Sequence, residues 1–271
     1  MNVEKVKQRI IDHIQKEVDT AVVGLSGGAD SLTVALLSME SLGKENVYAF
    51  SLPFSDYDLK TFNQKSRTSA EHIGVHHRII SIGKIADAAN TAIAGAFDQS
   101  AENLSPVNAG NARARARMTV LYGAAHHLAD QLNRRVRVMG TGNLSEDFIG
   151  YDTKGGDALA DIFPIGHLFK SEVYQMLEHY RDTGVITEEM INRKPSAGLW
   201  EGQTDEEEIG YTYNEMQGAI ERLLADYDNV NISALSDMEA FVWQRHLANK
   251  HKHAAPPVIP LRDVRGKFIN D

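Results

Sequence analysis

The stretch from Gly24 to Ser31 constrains the fold of this chain more than any other. It consists of Gly-Leu-Ser-Gly-Gly-Ala-Asp-Ser. An apolar, β-branched run at residues 21–25 leads into it, and apolar side chains at helical spacing follow over residues 32–39. A glycine-rich turn between a strand and a helix directs backbone N–H groups and the positive helix end at one anion. We therefore predict a phosphate-binding loop within an α/β fold.

The residue before the final serine excludes the commonest phosphate loop. A Walker-type loop needs a lysine there, whereas Asp30 precedes Ser31. A dinucleotide fingerprint needs the pattern G-x-G-x-x-G, which residues 24–31 do not supply. A carboxylate beside a polyphosphate is repelled unless a cation lies between them, so Asp30 indicates Mg²⁺ as well as phosphate.

Strand and helix patterns alternate along the chain. Strand patterns cover residues 21–25, 47–52, 76–80 and 136–139. Helical patterns cover residues 3–17, 32–39, 56–73, 82–97, 108–130, 170–180, 205–224 and 236–250. The alternation predicts a mostly parallel sheet flanked by helices, with ligands beyond the carboxyl ends of the strands. Residues 141–166 have little periodicity and predict a long functional loop at that end, and residues 195–203 predict another loop.

Composition narrows the function classes. The 271 residues suffice for one large α/β domain, and we expect a single domain over residues 1–271. The absence of cysteine excludes thiol nucleophiles, disulfides and cysteine-ligated zinc. A net charge of −9 argues against a duplex nucleic-acid partner. No apolar run approaches the roughly 20 residues of a membrane span, so we expect a cytoplasmic protein without a membrane partner.

The loop resembles the Ser-Gly-Gly-x-Asp-Ser signature of the ATP pyrophosphatases, and further motifs narrow the resemblance. These motifs lie at residues 111–118, 140–146, 154–157, 195–199, 202–206 and 251–252. In this order they resemble the NAD synthetase family over about residues 3–260. The resemblance implies an adenine nucleotide alpha hydrolase-like (Rossmann-like) fold.

The resemblance also implies a two-step amidation. The nicotinate carboxylate of deamido-NAD attacks the α-phosphorus of ATP, and ammonia then displaces AMP from the adenylated acid. Glutamine-using members carry an additional amidohydrolase domain with a cysteine nucleophile, so we expect this chain to use free ammonia. ATP and Mg²⁺ are the implied cofactors. The family forms homodimers with the dinucleotide at the subunit interface, and we expect the same here.

Three groups of residues carry the chemistry that the resemblance implies. The ATP contacts are Gly24, Leu25, Ser26, Gly27, Gly28, Ala29, Asp30, Ser31, Thr141, Lys170 and Ser196. The deamido-NAD contacts are Arg115, Lys154, Asp161, His251 and Lys252. The metal carboxylates are Asp30 and Glu146, and the catalytic residues are Asp30, Lys170 and Asp157. Each of these charged residues could also be a solvated side chain at the start of a helix or loop. That interpretation does not explain why Asp30, Glu146 and Lys170 occur together in one chain.

Some positions leave alternatives open. Asp157 is a candidate for binding ammonium and accepting its proton, although a Gly-Gly-Asp turn is also common as local geometry. Arg113 and Arg117 are four residues apart and share a helix face that does not include Arg115. Exposure of one or both to solvent is therefore an alternative to substrate binding. His253 follows the His-Lys pair where arginine is usual in the family, which leaves the anchoring of this segment open.

Two other functions fit parts of the sequence. Another ATP pyrophosphatase, such as a GMP synthetase-like amidase or a tRNA-modifying ligase, has the same phosphate loop. A regulator that senses ATP or NAD without turnover needs only nucleotide binding. The motifs beyond residue 100 argue against the first alternative, and the combination of Asp30, Glu146 and Lys170 argues against the second.

Overall fold

The computed structural model describes residues 1–191 and 205–259, with only the backbone described for residues 56–63. Its sheet has four parallel strands, in agreement with the sequence prediction. The strands are β1 (Thr20–Gly24), β2 (Val47–Ser51), β3 (His76–Ile79) and β4 (Val136–Met139). Their spatial order is β3-β2-β1-β4, and Val22 of β1 lies between Tyr48 of β2 and Val138 of β4.

This strand order creates a crevice at the carboxyl end of β1. The chain proceeds outward from β1 through β2 to β3, and then returns to place β4 on the other side of β1. Connections that leave a parallel sheet in opposite directions open a crevice between the two strands concerned, where ligands bind. The loop after β1 and the residues after β4 both lie at this crevice.

Eleven helices surround the sheet in the described residues. Their bounds are α1 (Val3–Glu17), α2 (Ala29–Leu42), α3 (Asp56–Ile73), α4 (Gly83–Gly95), α5 (Pro106–Leu132), α6 (Leu144–Ile149), α7 (Lys170–Asp182), α8 (Glu188–Ile191), α9 (Asp205–Ile209), α10 (Tyr213–Ala225) and α11 (Asp237–Asn249). Among these helices, none combines the length and the apolar character needed to cross a membrane.

Successive residues of β1 point to opposite faces of the sheet, as the two-residue period of a strand requires. Val23 packs in a cluster with Leu36 of α2 and Leu177 of α7. Val22 packs on the other face with Leu121 and Leu128 of α5. Helices therefore cover both faces, which explains why β1 is apolar at consecutive positions.

A third hydrophobic cluster joins the carboxyl-terminal helices to α6. Ile149 of α6 packs with Met216 and Ile220 of α10 and with Val242 and Trp243 of α11. All five side chains are buried. This cluster fixes α6 beside the crevice, so it determines where the residues after β4 can lie.

The structure corrects the expectation that residues 141–166 are only a loop. They contain α6, whose first turn is capped by Asn143, because its Oδ1 accepts a hydrogen bond from the Glu146 N–H at 3.1 Å. A helix of six residues is too short to show a hydrophobic period. The helix ends at Gly150, which has a φ of +63°.

The helix predicted over residues 205–224 is also wrong as one element, because it consists of α9 and α10. Gly210 has a φ of +87°, which interrupts the helix. Thr212 then caps α10, with its backbone N–H donating to Oε2 of Glu215 at 2.7 Å and its Oγ1 accepting from the Glu215 N–H at 3.2 Å. This Thr-x-x-Glu capping box was a visible start signal.

Candidate active site

A cavity of about 810 Å³ opens at the crevice beyond β1 and β4. Most of the predicted ATP, metal and catalytic residues line it. They are Gly24, Leu25, Ser26, Gly27, Gly28, Ala29, Asp30, Ser31, Thr141, Glu146, Asp157 and Lys170. The structure therefore brings together residues that are far apart in the chain. Ser196, the remaining predicted ATP contact, lies outside the described residues.

The loop after β1 is held in shape by its own serines. Ser31 Oγ donates to the Gly28 carbonyl at 3.1 Å and accepts from the Ser26 N–H at 3.3 Å. Ser26 Oγ accepts from the Gly28 N–H at 3.2 Å. Gly27 has a φ of +82°, a conformation that strains other residues. Gly28 is the N-cap of the 14-residue helix α2 and supplies no capping side chain, so this helix end suits an anionic ligand.

Lys170 occupies the centre of the site. Its Nζ donates to Oδ2 of Asp30 at 2.5 Å and to Oε1 of Glu146 at 2.8 Å. The Lys170 N–H donates to Oγ of Ser145 at 3.0 Å, which fixes the start of α7 against α6. Asn143 Nδ2 donates to Oδ1 of Asp30 at 2.9 Å. Three helices, α2, α6 and α7, therefore hold one lysine between two carboxylates in the wall of the cavity.

Burial and charge set the protonation of this centre. Burial favours the neutral form of Lys170, but the charges of Asp30 and Glu146 outweigh it and raise the pKa of Lys170 above its usual range. Burial raises the pKa of Glu146 to about 8, against the opposing effect of the Lys170 charge. The Asp30 carboxylate adds to this increase. Additional positive charge at the centre would therefore favour the ionised form of Glu146.

The donor set of Asp30 and Glu146 fits a hard divalent cation. Each side chain is 17% exposed, and both border the cavity that the phosphate loop lines. Mg²⁺ prefers oxygen ligands and is commonly held by one or two carboxylates together with substrate phosphates. A carboxylate pair beside a phosphate loop is therefore chemically suited to this ion.

Asp157 also borders the cavity. Its Oδ1 accepts a hydrogen bond from the Thr153 N–H at 2.9 Å, and Thr153 Oγ1 donates to Oδ1 of Asn111 at 2.7 Å. The carboxylate is reached from the cavity, but the protein around it removes much of its hydration and so raises the pKa of Asp157. Asp157 therefore stabilises a turn and also presents to the cavity a carboxylate that is more basic than usual.

The predicted deamido-NAD residues divide between the cavity and the surface. Lys252 lines the cavity, and its Nζ donates to the carbonyls of Gly150 and Asp152, each at 2.7 Å. Arg115 Nε donates to the Lys154 carbonyl at 3.2 Å, and Lys154 Nζ donates to the His251 carbonyl at 2.8 Å. Arg115, Lys154 and His251 do not line the cavity; the side chains of Arg115 and Lys154 donate to the backbone carbonyls of Lys154 and His251 in exposed contacts.

Asp161 also lies outside the cavity of this chain. Its Oδ2 accepts a hydrogen bond from the Val138 N–H at 2.8 Å, and its Oδ1 accepts from the Tyr122 hydroxyl at 3.3 Å. In this structure Asp161 therefore joins the segment after β4 to the sheet and to α5.

The structure corrects the solvated interpretation of two arginines. Arg117 borders the cavity and donates from Nε to the Leu52 carbonyl at 3.3 Å. The Arg113 guanidinium lies 3.7 Å from the centre of the Phe54 ring. Sequence spacing placed both on one helix face, but only the position of the segment after β2 shows what that face contacts.

Sequence reasoning missed Asp205 as a site residue. The sequence places it at the start of the helical pattern over residues 205–224, but it is 4% exposed and borders the cavity. The Tyr213 hydroxyl donates to its Oδ2 at 3.2 Å, and its charge contributes to the raised pKa of Glu146. The signal available was its position inside the motif at residues 202–206.

Comparisons with known proteins identify the family of this chain. The family model described as NAD synthase matches residues 2–256. An NH₃-dependent NAD⁺ synthetase of Methanosarcina acetivorans is 38% identical over 275 residues, covering 96% of this chain and all of the relative. The corresponding synthetase of Archaeoglobus fulgidus is 36% identical over 271 residues, covering 97% of this chain and all of the relative.

Two solved synthetase structures are similar to this chain over almost its whole length. An NMN synthetase of Francisella tularensis matches with a TM-score of 0.71 and 29% identity, covering 96% of this chain and 99% of that one. An NH₃-dependent NAD synthetase of Campylobacter jejuni matches with a TM-score of 0.69 and 26% identity, covering 96% and 100%. The phosphate loop, the carboxylate pair around Lys170 and these similarities together show that the chain belongs to the NAD synthase family.

Proposed function

We propose that this chain is an ammonia-dependent NAD synthetase. It is a ligase that converts deamido-NAD (nicotinic acid adenine dinucleotide) to NAD while ATP is split to AMP and pyrophosphate. The observation that carries this proposal is the arrangement of Lys170 between Asp30 and Glu146, beside the Ser-Gly-Gly-x-Asp-Ser loop. The names of the most similar curated relatives support ammonia as the nitrogen donor.

The first step joins two anions and therefore requires control of charge. A carboxylate oxygen of deamido-NAD attacks the α-phosphorus of ATP, and the bond from that phosphorus to the leaving pyrophosphate breaks. Lys170 and the N–H groups at the start of α2 stabilise the phosphate oxygens. Asp30 and Glu146 would hold Mg²⁺, which would supply neutralising charge to the leaving pyrophosphate. The carboxylate of the substrate is itself the nucleophile, so no covalent intermediate with the enzyme is needed.

The second step needs ammonia in its unprotonated form. Its nitrogen attacks the carbonyl carbon of the adenylated acid, the bond to the AMP oxygen breaks, and one proton must leave the nitrogen. We assign Asp157 as the group that binds ammonium and accepts the proton whose loss gives ammonia before the attack; the second proton, which leaves the nitrogen after the attack, passes to solvent water. Its accessibility from the cavity and its raised pKa support that assignment, because a more basic carboxylate is a better proton acceptor.

We assign deamido-NAD binding to the predicted basic residues and Asp161, in a homodimer. Arg115, Lys154 and His251 form one connected group of contacts outside the cavity, next to Lys252 at its wall. A dinucleotide that extends from the cavity over this group of residues would contact the partner subunit of the homodimer. The exposed apolar residues Ile93, Phe97 and Val107 near the start of α5 support a self-association surface.

The proposal extends to the domain organisation, one further ATP contact and the location of the enzyme. Residues 1–271 form one catalytic domain, supported by a family match that extends from residue 2 to residue 256. Ser196, in the motif at residues 195–199, contributes a hydroxyl to ATP. The enzyme works in the cytoplasm, because it needs a continuous supply of ATP.

One neighbour favours a second acceptor. The Francisella structure is named an NMN synthetase, so the corresponding mononucleotide, nicotinic acid mononucleotide, is a second candidate substrate. Product analysis distinguishes the candidates when each acceptor is incubated with ATP and Mg²⁺, with and without ammonium. We expect AMP, pyrophosphate and NAD to form together, only with ammonium and preferentially with deamido-NAD. Preference for the mononucleotide would reassign the acceptor. ADP as the product, or nucleotide binding without turnover, would contradict the proposal.

A further inference from the structure

Residues 249–253 form a clasp over the segment that links α6 to the Thr153 turn. Lys252 Nζ donates to the carbonyls of Gly150 and Asp152. Gly150 approaches Asn249 so closely that a Cβ at position 150 would overlap the Asn249 side chain. Asn249, Lys252, Gly150 and Asp152 all border the cavity. The clasp therefore holds one wall of the substrate site in place.

The shorter of two ion pairs to Asp152 closes this clasp. His253 Nε2 lies 2.5 Å from Oδ2 of Asp152, whose side chain is only 6% exposed. The second charge near Asp152 is the Lys252 ammonium, 3.5 Å from Oδ1. Lys252 Nζ gives two of its three N–H groups to carbonyls. His253 is the closer charged partner of this buried carboxylate. A buried carboxylate that loses its partner is strongly destabilising.

The charge on His253 is conditional, unlike that of an arginine. The hydrogen bond to Asp152 raises the pKa of His253, burial opposes this, and the charges of Asp152 and Asp147 add to the increase. Lys252 from the same segment opposes protonation of the ring. His246 and Lys250 approach from α11 and the turn that follows it. Burial lowers the pKa of His246, and the charges of Lys250 and His253 add to this decrease.

We propose that His253 is a positioning residue for substrate binding, which holds the cavity wall through Asp152 when it is protonated and releases that wall when it is neutral. A group whose folded-state pKa is raised stabilises the closed form below its ordinary pKa of 6.5, and this contribution is lost as the pH rises through the folded-state value. The clasp therefore opens with increasing pH. This inference rests on the proposed function in so far as deamido-NAD is the ligand.

Steady-state kinetics with matched variants test the role. The KM for deamido-NAD is measured from about pH 6 to about pH 9, with ammonium adjusted to keep free ammonia constant. In the wild type we expect KM to rise about three- to tenfold across this range, the size expected of one partly buried ion pair, with kcat little changed. His253→Arg should retain the low KM at every pH, and His253→Gln should have the high KM throughout. His13→Arg, the same change at an exposed position of α1, should behave as the wild type.

Hydrogen–deuterium exchange provides a readout that does not depend on turnover. Protection of residues 149–153 and 249–253, corrected for intrinsic exchange, should fall with rising pH in the wild type but not in His253→Arg. Parallel KM profiles of the wild type and His253→Arg, or pH-dependent protection without a change in KM, would overturn the positioning role. The ligand atoms of Asp147, Asp152 and His253 lie within 4.8 Å of one another, so a pH effect abolished by a chelator would also overturn it. Failure to form NAD at any pH would instead contradict the proposed function.

Discussion

The ammonium group of Lys170 lies 2.5 Å from Oδ2 of Asp30, although 140 positions separate the two residues in the sequence. Lys170 begins α7 and Asp30 lies in the first turn of α2, so each belongs to a helix whose amino end faces the cavity. A lysine at a helix start is unfavourable without a nearby anion. The anions present are the side chains of Asp30 and Glu146, and the phosphates of ATP provide an alternative set.

Replacing Asp30 with asparagine tests the assignment of this carboxylate to metal and phosphate chemistry. We expect Asp30→Asn to fold and to lose at least about 100-fold in kcat/KM, because a charge that organises the leaving group is lost. Initial rates with ATP and deamido-NAD over a range of Mg²⁺ concentrations measure the loss, and circular dichroism checks the fold. A variant with wild-type rates would refute the assignment.

Replacing Lys170 with methionine should destabilise the protein as well as inactivate it. The change leaves the partly buried Asp30 carboxylate without its cation, which costs about 3–5 kcal/mol, while loss of the Lys170 charge raises the pKa of Glu146 further and keeps that side chain neutral. Adding Asp30→Asn removes the unpaired charge and should restore part of the stability but not the activity. Urea unfolding of the single and double variants measures the stability, and initial rates with ATP, Mg²⁺ and deamido-NAD measure the activity.

Lys16→Met is the matched control for that experiment, because the Lys16 side chain is 78% exposed. We expect it to change the free energy of unfolding by less than about 0.5 kcal/mol. Equal stability of Lys170→Met and the control would mean that the buried ion pairs contribute nothing.

Gly140 should tolerate no side chain, because it follows β4 where the segment at residues 160–163 crosses it. A Cβ there would overlap the Phe163 ring and lie 2.8 Å from the Ala160 Cβ. We expect Gly140→Ala to lose about 1–3 kcal/mol of stability and to lower kcat/KM, since Gly140 also borders the cavity.

Gly123→Ala in α5 is the contrasting variant, since a Cβ at that position would meet no atom within 4 Å. It should stabilise the protein by about 0.5–1 kcal/mol through helix propensity. Thermal unfolding of both variants measures the difference, and a Gly140→Ala protein as stable as Gly123→Ala would contradict the packing described here.

The acid side of the stability profile should depend on Asp19. Hydrogen bonds from the Arg135 side chain and backbone lower the pKa of Asp19 from 3.8 to about 2. Because the folded-state pKa is depressed, the stabilisation is present above about pH 4 and is lost as the pH falls towards 2. Asp19→Asn should therefore lower Tm near neutral pH and flatten the loss of Tm over that acidic range.

Asp87→Asn, a change of the same kind at an exposed position of α4, is the control for this pH series. It should reproduce the wild-type dependence of Tm on pH. If Tm falls with decreasing pH in the same way in Asp19→Asn and in the wild type, the Asp19–Arg135 pair does not determine the acid dependence of stability.

The phosphate loop and the parallel sheet could be predicted from the sequence because both depend on local patterns. Strand, glycine turn and helix are encoded within residues 20–42, and the four strands follow their own apolar runs. The pairing of Lys170 with Asp30 and Glu146 follows from the strand order β3-β2-β1-β4, which brings the residues after β1 and β4 to one crevice. No local pattern contains that order, so the resemblance to a family was needed to group these residues.

Other features required packing information. Helix α6 is held by a cluster with α10 and α11, so its six residues carry no period of their own. The environment of Arg117 depends on where Leu52 lies, and the burial of Asp205 depends on Tyr213. In each case the partner is distant in sequence or belongs to another element, and residue type alone does not identify it.

The central claim is that the substrate carboxylate is activated as an adenylate, and oxygen labelling tests it most directly. Deamido-NAD carrying ¹⁸O in its nicotinate carboxylate is incubated with ATP, Mg²⁺ and ammonium, and the products are examined by mass spectrometry. Attack of the carboxylate on the α-phosphorus transfers one labelled oxygen to AMP, so we expect each AMP to carry a single carboxylate oxygen and pyrophosphate to carry none. Unlabelled AMP, or label in orthophosphate accompanied by ADP, would contradict this account.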